Sequence, residues 1–195
     1  MLPEYAELHC LTNFSFLRGA SHPEELAARA AKLGYAALAV TDECSLAGVV
    51  RAHVAAKEHG LKLIVGAEFR LADGPKLVLL ATDREAYSNL SQLITAARRR
   101  SRKGSYRIVW DDLDAGVPGC LALLVPDEQP KLKDAQRLAR LFPGRAWIAA
   151  ELTAGRTTGR GSKRCLISAA PRSCRSPQPA TCTCTCARAG RCRTR

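Results

Sequence analysis

His9, Asp42 with its neighbour Glu43, and Glu68 are the residues of this chain best suited to bind a divalent ion or move a proton. Each stands at or just past the end of a short strand-like run: Ala6–Cys10, Ala36–Val40 and Leu63–Val65. Imidazole and carboxylate groups converging from several strands can hold a metal, lower the pKa of a bound water and steady charge on a phosphoryl group. Taken singly, each has a plainer role. A histidine in a strand is often hydrogen-bonded in a core, and Asp42 could cap a helix over Ser45–His59. Together their placement points to a metal-type phosphoesterase scaffold, because β/α barrels gather their chemistry at the C-terminal strand ends.

The elements that must position these groups follow from the apolar pattern. Ser21-His22-Pro23-Glu24 reads as a capping box with an early proline, and Gly34 is a natural helix stop. Leu26, Ala27, Ala30, Ala31 and Leu33 supply the apolar face between them. Ser45–His59 reads as a second helix closed by Gly60, Arg84–Arg100 as a third and Leu132–Leu141 as a fourth. Lys76–Ala81, Ile108–Trp110, Cys120–Val125 and Ala146–Leu152 read as further strands. Alternating strands and helices predict an α/β fold with a parallel sheet, either a barrel or layers.

Composition divides the chain in two. The net charge of +12 suggests nucleic acid. However, residues 1–152 hold all 18 acidic residues against 20 Lys and Arg, whereas residues 153–195 hold 10 basic residues and no acidic one. Cys10, Cys44 and Cys120 lie in the first part, and the other six cysteines fall between Cys165 and Cys192. No apolar run approaches the roughly 18 residues that span a bilayer, and no secretory signal opens the chain. The expectation is a cytoplasmic protein without membrane partners.

Glu7-Leu8-His9-Cys10-Leu11-Thr12-Asn13-Phe14-Ser15-Phe16-Leu17-Arg18-Gly19-Ala20-Ser21 resembles the opening of a PHP (polymerase and histidinol phosphatase) domain. So do Val40-Thr41-Asp42-Glu43-Cys44-Ser45-Leu46-Ala47-Gly48 and Ile64-Val65-Gly66-Ala67-Glu68-Phe69. Leu79-Leu80-Ala81 with Tyr87-Ser88-Asn89-Leu90 is similar to bacterial C-family DNA polymerases, closest to the error-prone branch. The resemblance covers residues 4–152. It implies a PHP-type distorted β/α barrel, DNA as partner, and mutasome or replisome proteins around the complete polymerase. It also implies a divalent ion (zinc, manganese or magnesium) at the centre, with His9, Asp42 and Glu68 as vestigial ligands. Two departures argue against that ion. The family's His-x-His is His9 and Leu11 here, and its Asp-His is Asp42-Glu43. Leucine cannot ligate a metal, so a structural domain is expected rather than a working nuclease.

One basic cluster lies in the first part: Arg98, Arg99, Arg100, Arg102 and Lys103. Such charge could meet DNA phosphates, or simply offset a helix dipole in solvent. No aromatic residues interleave to stack on bases.

Residues 153–195 read as a disordered tail: basic, cysteine-rich and without apolar period. The alternating Thr-Cys of Thr181–Cys186 is a poor match to zinc-ligand spacing. The genetic code explains it better. Starting one base early, the codons of Ala180–Ala187 permit Gly-Asp-Val-His-Met-His-Val-Arg, and those of Thr153–Thr158 permit His-Arg-Gly-Pro-Asp-Asp. After Glu151-Leu152 the second string resembles the family's Glu-Leu-His-Arg-Gly-Pro, and the first resembles its late PHP motif. The expectation is a single-base frameshift near Leu152–Thr153. It leaves an incomplete barrel with exposed apolar surface and poor solubility, and a chain without polymerase activity of its own. The alternative is a free-standing PHP-type phosphoesterase using His9, Asp42 and Glu68.

Overall fold

The computed structural model describes residues 5–114, 116–126, 131–151 and 184–185. Six strands form one curled sheet in the order β1 (Ala6–Cys10), β2 (Ala37–Val40), β3 (Lys62–Arg70), β4 (Lys76–Ala81), β5 (Cys120–Val125) and β6 (Ala146–Ile148). Helix α1 (Pro23–Lys32) crosses from β1 to β2, and α2 (Val49–Glu58) from β2 to β3. Helix α3 (Arg84–Arg99) lies between β4 and β5, and α4 (Leu132–Leu141) between β5 and β6. The strands β1, β4 and β5 and the helix α4 fall at the bounds their apolar runs predict.

The sheet is mixed, not parallel as the alternation suggests. β1, β2 and β3 run parallel, β4 is antiparallel to both β3 and β5, and β6 is parallel to β5. The change happens within β3, which is longer than its apolar run. Its first half, Lys62–Val65, pairs with β2, and its second half, Gly66–Arg70, pairs with β4. Gly66 sits at the exchange because a Cβ there would come within 2.6 Å of the Leu79 carbonyl oxygen. A short connection through Leu71–Pro75 then returns the chain as a hairpin, which requires an antiparallel partner.

Three further differences have local causes. The α1 cap is His22, whose amide donates to Glu25 at 2.9 Å, one residue later than a Ser21–Glu24 box. Helix α2 starts at Val49 rather than Ser45, because Ser45 Oγ accepts the Ala47 amide at 3.2 Å in a local turn. Ile108–Trp110 is not a strand. The Asp112 carboxylate accepts the Val109 amide at 3.0 Å and starts a 3-10 turn over Trp110–Leu113. The run Ala146–Leu152 yields β6 and a two-residue strand, β7 (Ala150–Glu151), which pairs in parallel with β8 (Cys184–Thr185). Apart from the two residues of β8, residues 153–195, expected to be disordered, and the boundary expected at 152 lie outside the described residues.

The larger core packs α3, α4 and Trp110 on one face of β3–β5, around Phe69, Leu77, Leu79, Leu90 and Phe142. A second core joins α1 and α2 to β2 through Ala27, Ala30, Leu38, Ala55 and Ala56. The alanines let these helices approach the sheet closely, and the C-terminal ends of β1 and β2 are left beside Glu68. No helix among the described residues is long and apolar enough to cross a membrane.

Candidate functional site

Backbone pairing assembles the site. The chain continues past β2 as a bridge from Glu43 to Glu68, with the Glu68 amide donating to the Asp42 carbonyl at 3.1 Å. The Cys44 amide returns a bond to the Glu68 carbonyl at 2.8 Å. β1 lies on the other side of β2 and carries Glu7 and His9 inward, both buried.

His9 and Glu68 meet. The His9 Nε2 lies 2.7 Å from Glu68 Oε2, and the Glu68 side chain has no solvent exposure. Glu7 supports the same strand: Oε1 accepts the His9 amide at 3.0 Å and Oε2 accepts the Tyr5 hydroxyl at 3.0 Å.

Asp42 is brought beside Glu68 by the backbone pairing, but its carboxylate serves another purpose. It accepts the Thr12 amide at 2.8 Å, the Thr12 hydroxyl at 2.7 Å and the Ser15 hydroxyl at 2.7 Å. It caps no helix, since the N-cap of α2 is Gly48. Ser15 Oγ also accepts the Glu43 amide at 2.9 Å, and the Ser15 carbonyl accepts the Arg18 and Gly19 amides at 3.0 and 2.9 Å. The loop from Thr12 to Gly19 is therefore pinned to the end of β2. Gly19 is required where the loop closes, because a Cβ would fall 1.9 Å from the Thr12 carbonyl oxygen.

That loop delivers a residue the sequence reasoning passed over. Arg18 donates from Nη1 to Glu43 Oε2 at 2.8 Å, from Nη2 to Glu68 Oε2 at 3.0 Å, and from Nη1 to Glu68 Oε1. Lys76 Nζ adds a further positive charge 3.8 Å from Glu68. Burial alone would raise the Glu68 pKa. The hydrogen bonds from His9 and Arg18, with the charges of Lys76 and Arg18, overcome it and hold the carboxyl down at about 2. The bond to Glu68 raises the Arg18 pKa further above its ordinary value. Neither group can exchange a proton near neutral pH, so neither is poised for general acid–base work. Burial, with Glu7 and Asp42 nearby, pushes the Cys10 thiol up to about 12, which keeps it from acting as a thiolate.

Glu43, named in the sequence beside Asp42 and as a departure from Asp-His, holds the site's outer wall. It accepts the Tyr106 hydroxyl at 2.9 Å on Oε1, while its carbonyl accepts Arg98 Nη2 at 3.1 Å. Arg98 also donates to the Cys44 carbonyl at 3.2 Å and stacks over the Tyr106 ring at 5.3 Å. Of the basic cluster, then, Arg98 turns inward and Arg100 pairs with Asp112. Arg99, Arg102 and Lys103 are exposed.

These donors do not fit a divalent ion. A metal centre needs several ligands with lone pairs free toward one point. Both Glu68 oxygens face donors, Asp42 is bound by the loop, and Leu11, two residues past His9, has no lone pair to offer. Among the described residues no group of three or more His, Cys, Asp or Glu is arranged to hold a metal ion. Thr12, Ser15 and Arg18 carry no periodic signal; what could have flagged them is their place in the loop directly after β1.

The fold is similar to a solved structure from Bifidobacterium adolescentis assigned as a metal-dependent phosphoesterase, at 19% identity and TM-score 0.55, over 74% of this chain and 76% of that one. An amidohydrolase from Chromobacterium violaceum is similar at 17% identity and TM-score 0.52, over 75% and 76% of the two chains. The error-prone DNA polymerase of Dechloromonas aromatica is 64% identical over 159 residues, which are 79% of this chain and 16% of that protein. Those of Aromatoleum aromaticum and Methylococcus capsulatus are 58% and 60% identical, over 80% and 76% of this chain and 15% and 14% of their own lengths. The PHP domain family model matches residues 7–143. The chain thus belongs to the PHP domain family and is a PHP-domain piece of the error-prone DNA polymerase kind, spanning about one sixth of the length of those relatives.

Proposed function

We propose that this chain supports the core of an error-prone DNA polymerase as a structural PHP domain, and that it hydrolyses no phosphoester. The observation that carries this reading is the 64% identity to such a polymerase, confined to its PHP region, combined with a centre whose carboxylates are bound by Arg18. The complete protein would extend a primer opposite damaged template, with DNA as substrate, mutasome or replisome proteins as partners, and the cytoplasm as its compartment. Arg99, Arg102 and Lys103 are the side chains that could meet DNA phosphates; His9, Asp42 and Glu68 keep only the positions of metal ligands.

The same reading covers the composition break. The loss of acidic residues after Glu151 and the cysteine burst that follows fit a one-base shift near Leu152–Thr153. Determining the coding DNA from codon 145 onward tests it. The neighbouring frame is expected to encode His-Arg-Gly-Pro and, later, Gly-Asp-Val-His-Met-His, and to continue into a long polymerase frame. A neighbouring frame broken by stop codons would overturn it.

A further inference from the structure

We propose that Arg18 is the resident cation of this centre: its guanidinium takes the place of a divalent ion between Glu43 and Glu68. The inference rests on the non-hydrolytic reading above and adds a reason for it. Three independent features of the chain lead to it.

The first is charge. Glu43 and Glu68 are bridged neighbours on adjacent backbone segments, and Glu68 is wholly buried. Two carboxylates so placed repel one another unless a cation lies between them. Arg18 lies there, bonded to one oxygen of Glu43 and to both oxygens of Glu68.

The second is geometry. A guanidinium offers planar, fixed donors that match carboxylate oxygens, and it stays charged at every pH the fold survives. A metal could occupy the same point only if the Arg18 guanidinium first left both carboxylates, giving up its three bonds to them.

The third is delivery. Arg18 is not a stray surface side chain. The Asp42 carboxylate grips Thr12 and Ser15, Ser15 grips Glu43 and the Arg18 amide, and Gly19 lets the loop close under Thr12. The carboxylate that would otherwise be a ligand is therefore spent on positioning the tethered cation. The tip of this loop even holds Phe16 and Leu17 at 84% and 90% exposure, with Leu17 at φ 61°, so that the next residue can turn inward.

Mn2+ is the test ion, because it prefers oxygen and nitrogen donors over the thiolates of residues 165–192. The purified full chain is titrated with Mn2+ while the electron paramagnetic resonance signal of the free ion is followed. Wild type is expected to show no saturable site up to millimolar Mn2+, and removal of metals with EDTA should leave its melting temperature unchanged. Arg18→Ala should melt lower by roughly 5–10 °C. It should be partly rescued by Mn2+ or by dilute guanidinium chloride against sodium chloride of equal strength, and it should gain Mn2+ binding that Glu68→Gln removes. Arg18→Lys, which keeps a cation, should bind no Mn2+.

Saturable Mn2+ binding to wild type that is lost in Glu68→Gln would overturn the proposal, and this holds even if Arg18→Ala does not fold. So would an Arg18→Ala chain as stable as wild type with no gain of Mn2+. Mn2+ binding without any hydrolysis would sink this inference yet leave the structural reading of the domain intact.

Discussion

Asp42→Ala is expected to destabilise the chain by roughly 3–5 kcal/mol: three hydrogen bonds to a charged acceptor are lost, each contributing about 1.5–3 kcal/mol, and the sum is reduced because bonds that share one acceptor are not additive and the freed donors partly find new partners. The donors left behind are the Thr12 amide, the Thr12 hydroxyl and the Ser15 hydroxyl, and the carboxylate they share is 1% exposed. Asp42→Asn keeps the volume and one acceptor oxygen, so it should cost less. Urea unfolding of the full chain measures both. The direction separates two roles for the residue. A carboxylate held ready for a metal is repelled by its neighbours when the metal is absent, so its removal would be neutral or stabilising. A stable Asp42→Ala chain would show that the residue is a spare ligand and not a loop anchor. Because Asp42 acts on Arg18 through the loop, Asp42→Ala and Arg18→Ala should be strongly non-additive.

Glu68→Ala is the second large effect. It strands the Arg18 guanidinium, His9 and Lys76 beside a void, and breaking such a buried pair costs about 3–5 kcal/mol. The same carboxylate gives an acid-dependent signature. Its pKa falls from an ordinary 4.5 to about 2 on folding. Between those values the unfolded chain binds the extra proton, so stability rises with pH there. The contribution is complete above about pH 4.5 and lost as the pH falls through about 2. Its size is roughly 2–3 kcal/mol after allowing for solvent at the one-third-exposed Arg18. Other carboxyls in the chain titrate in the same range, so the quantity to follow is wild type minus Glu68→Gln. That difference should shrink by this amount on acidification. A difference that stays flat would mean Glu68 is not held by cations in solution.

The strands β4 and β5 were legible because their apolar runs are compact and bounded by charged or turn-forming residues, and β1 because its short alternating run ends before a loop. The helix α4 was legible from its periodic leucines. Pairing direction was not: a run of apolar residues states burial, whereas the switch at Gly66 depends on which neighbour's backbone can approach it. The helix caps at residues 22 and 48 were blurred because local hydrogen bonds of Glu25 and Ser45 chose the register.

At the site, the sequence named the strand-end groups that come together, His9 and Glu68, and the segment that carries Asp42. It could not show which way a carboxylate turns. Asp42 points to the Thr12–Gly19 loop, a choice made by two hydroxyls some thirty positions earlier. Arg18 was invisible for the same reason, since an arginine in a surface loop ordinarily faces solvent. The motif departures at Leu11 and Glu43 were visible and informative. Glu43 accepts a hydrogen bond from Arg18 and so holds a side-chain cation.

The most direct test of a structural rather than hydrolytic centre is phosphoester cleavage by the purified full chain. p-Nitrophenyl phosphate and bis(p-nitrophenyl) phosphate would be incubated separately with Mn2+, Zn2+ and Mg2+, and nitrophenol release followed. Release equal to that from heat-unfolded chain is the predicted result for every pairing. Metal-dependent turnover that disappears in Glu68→Gln would contradict it and make the domain a working phosphoesterase.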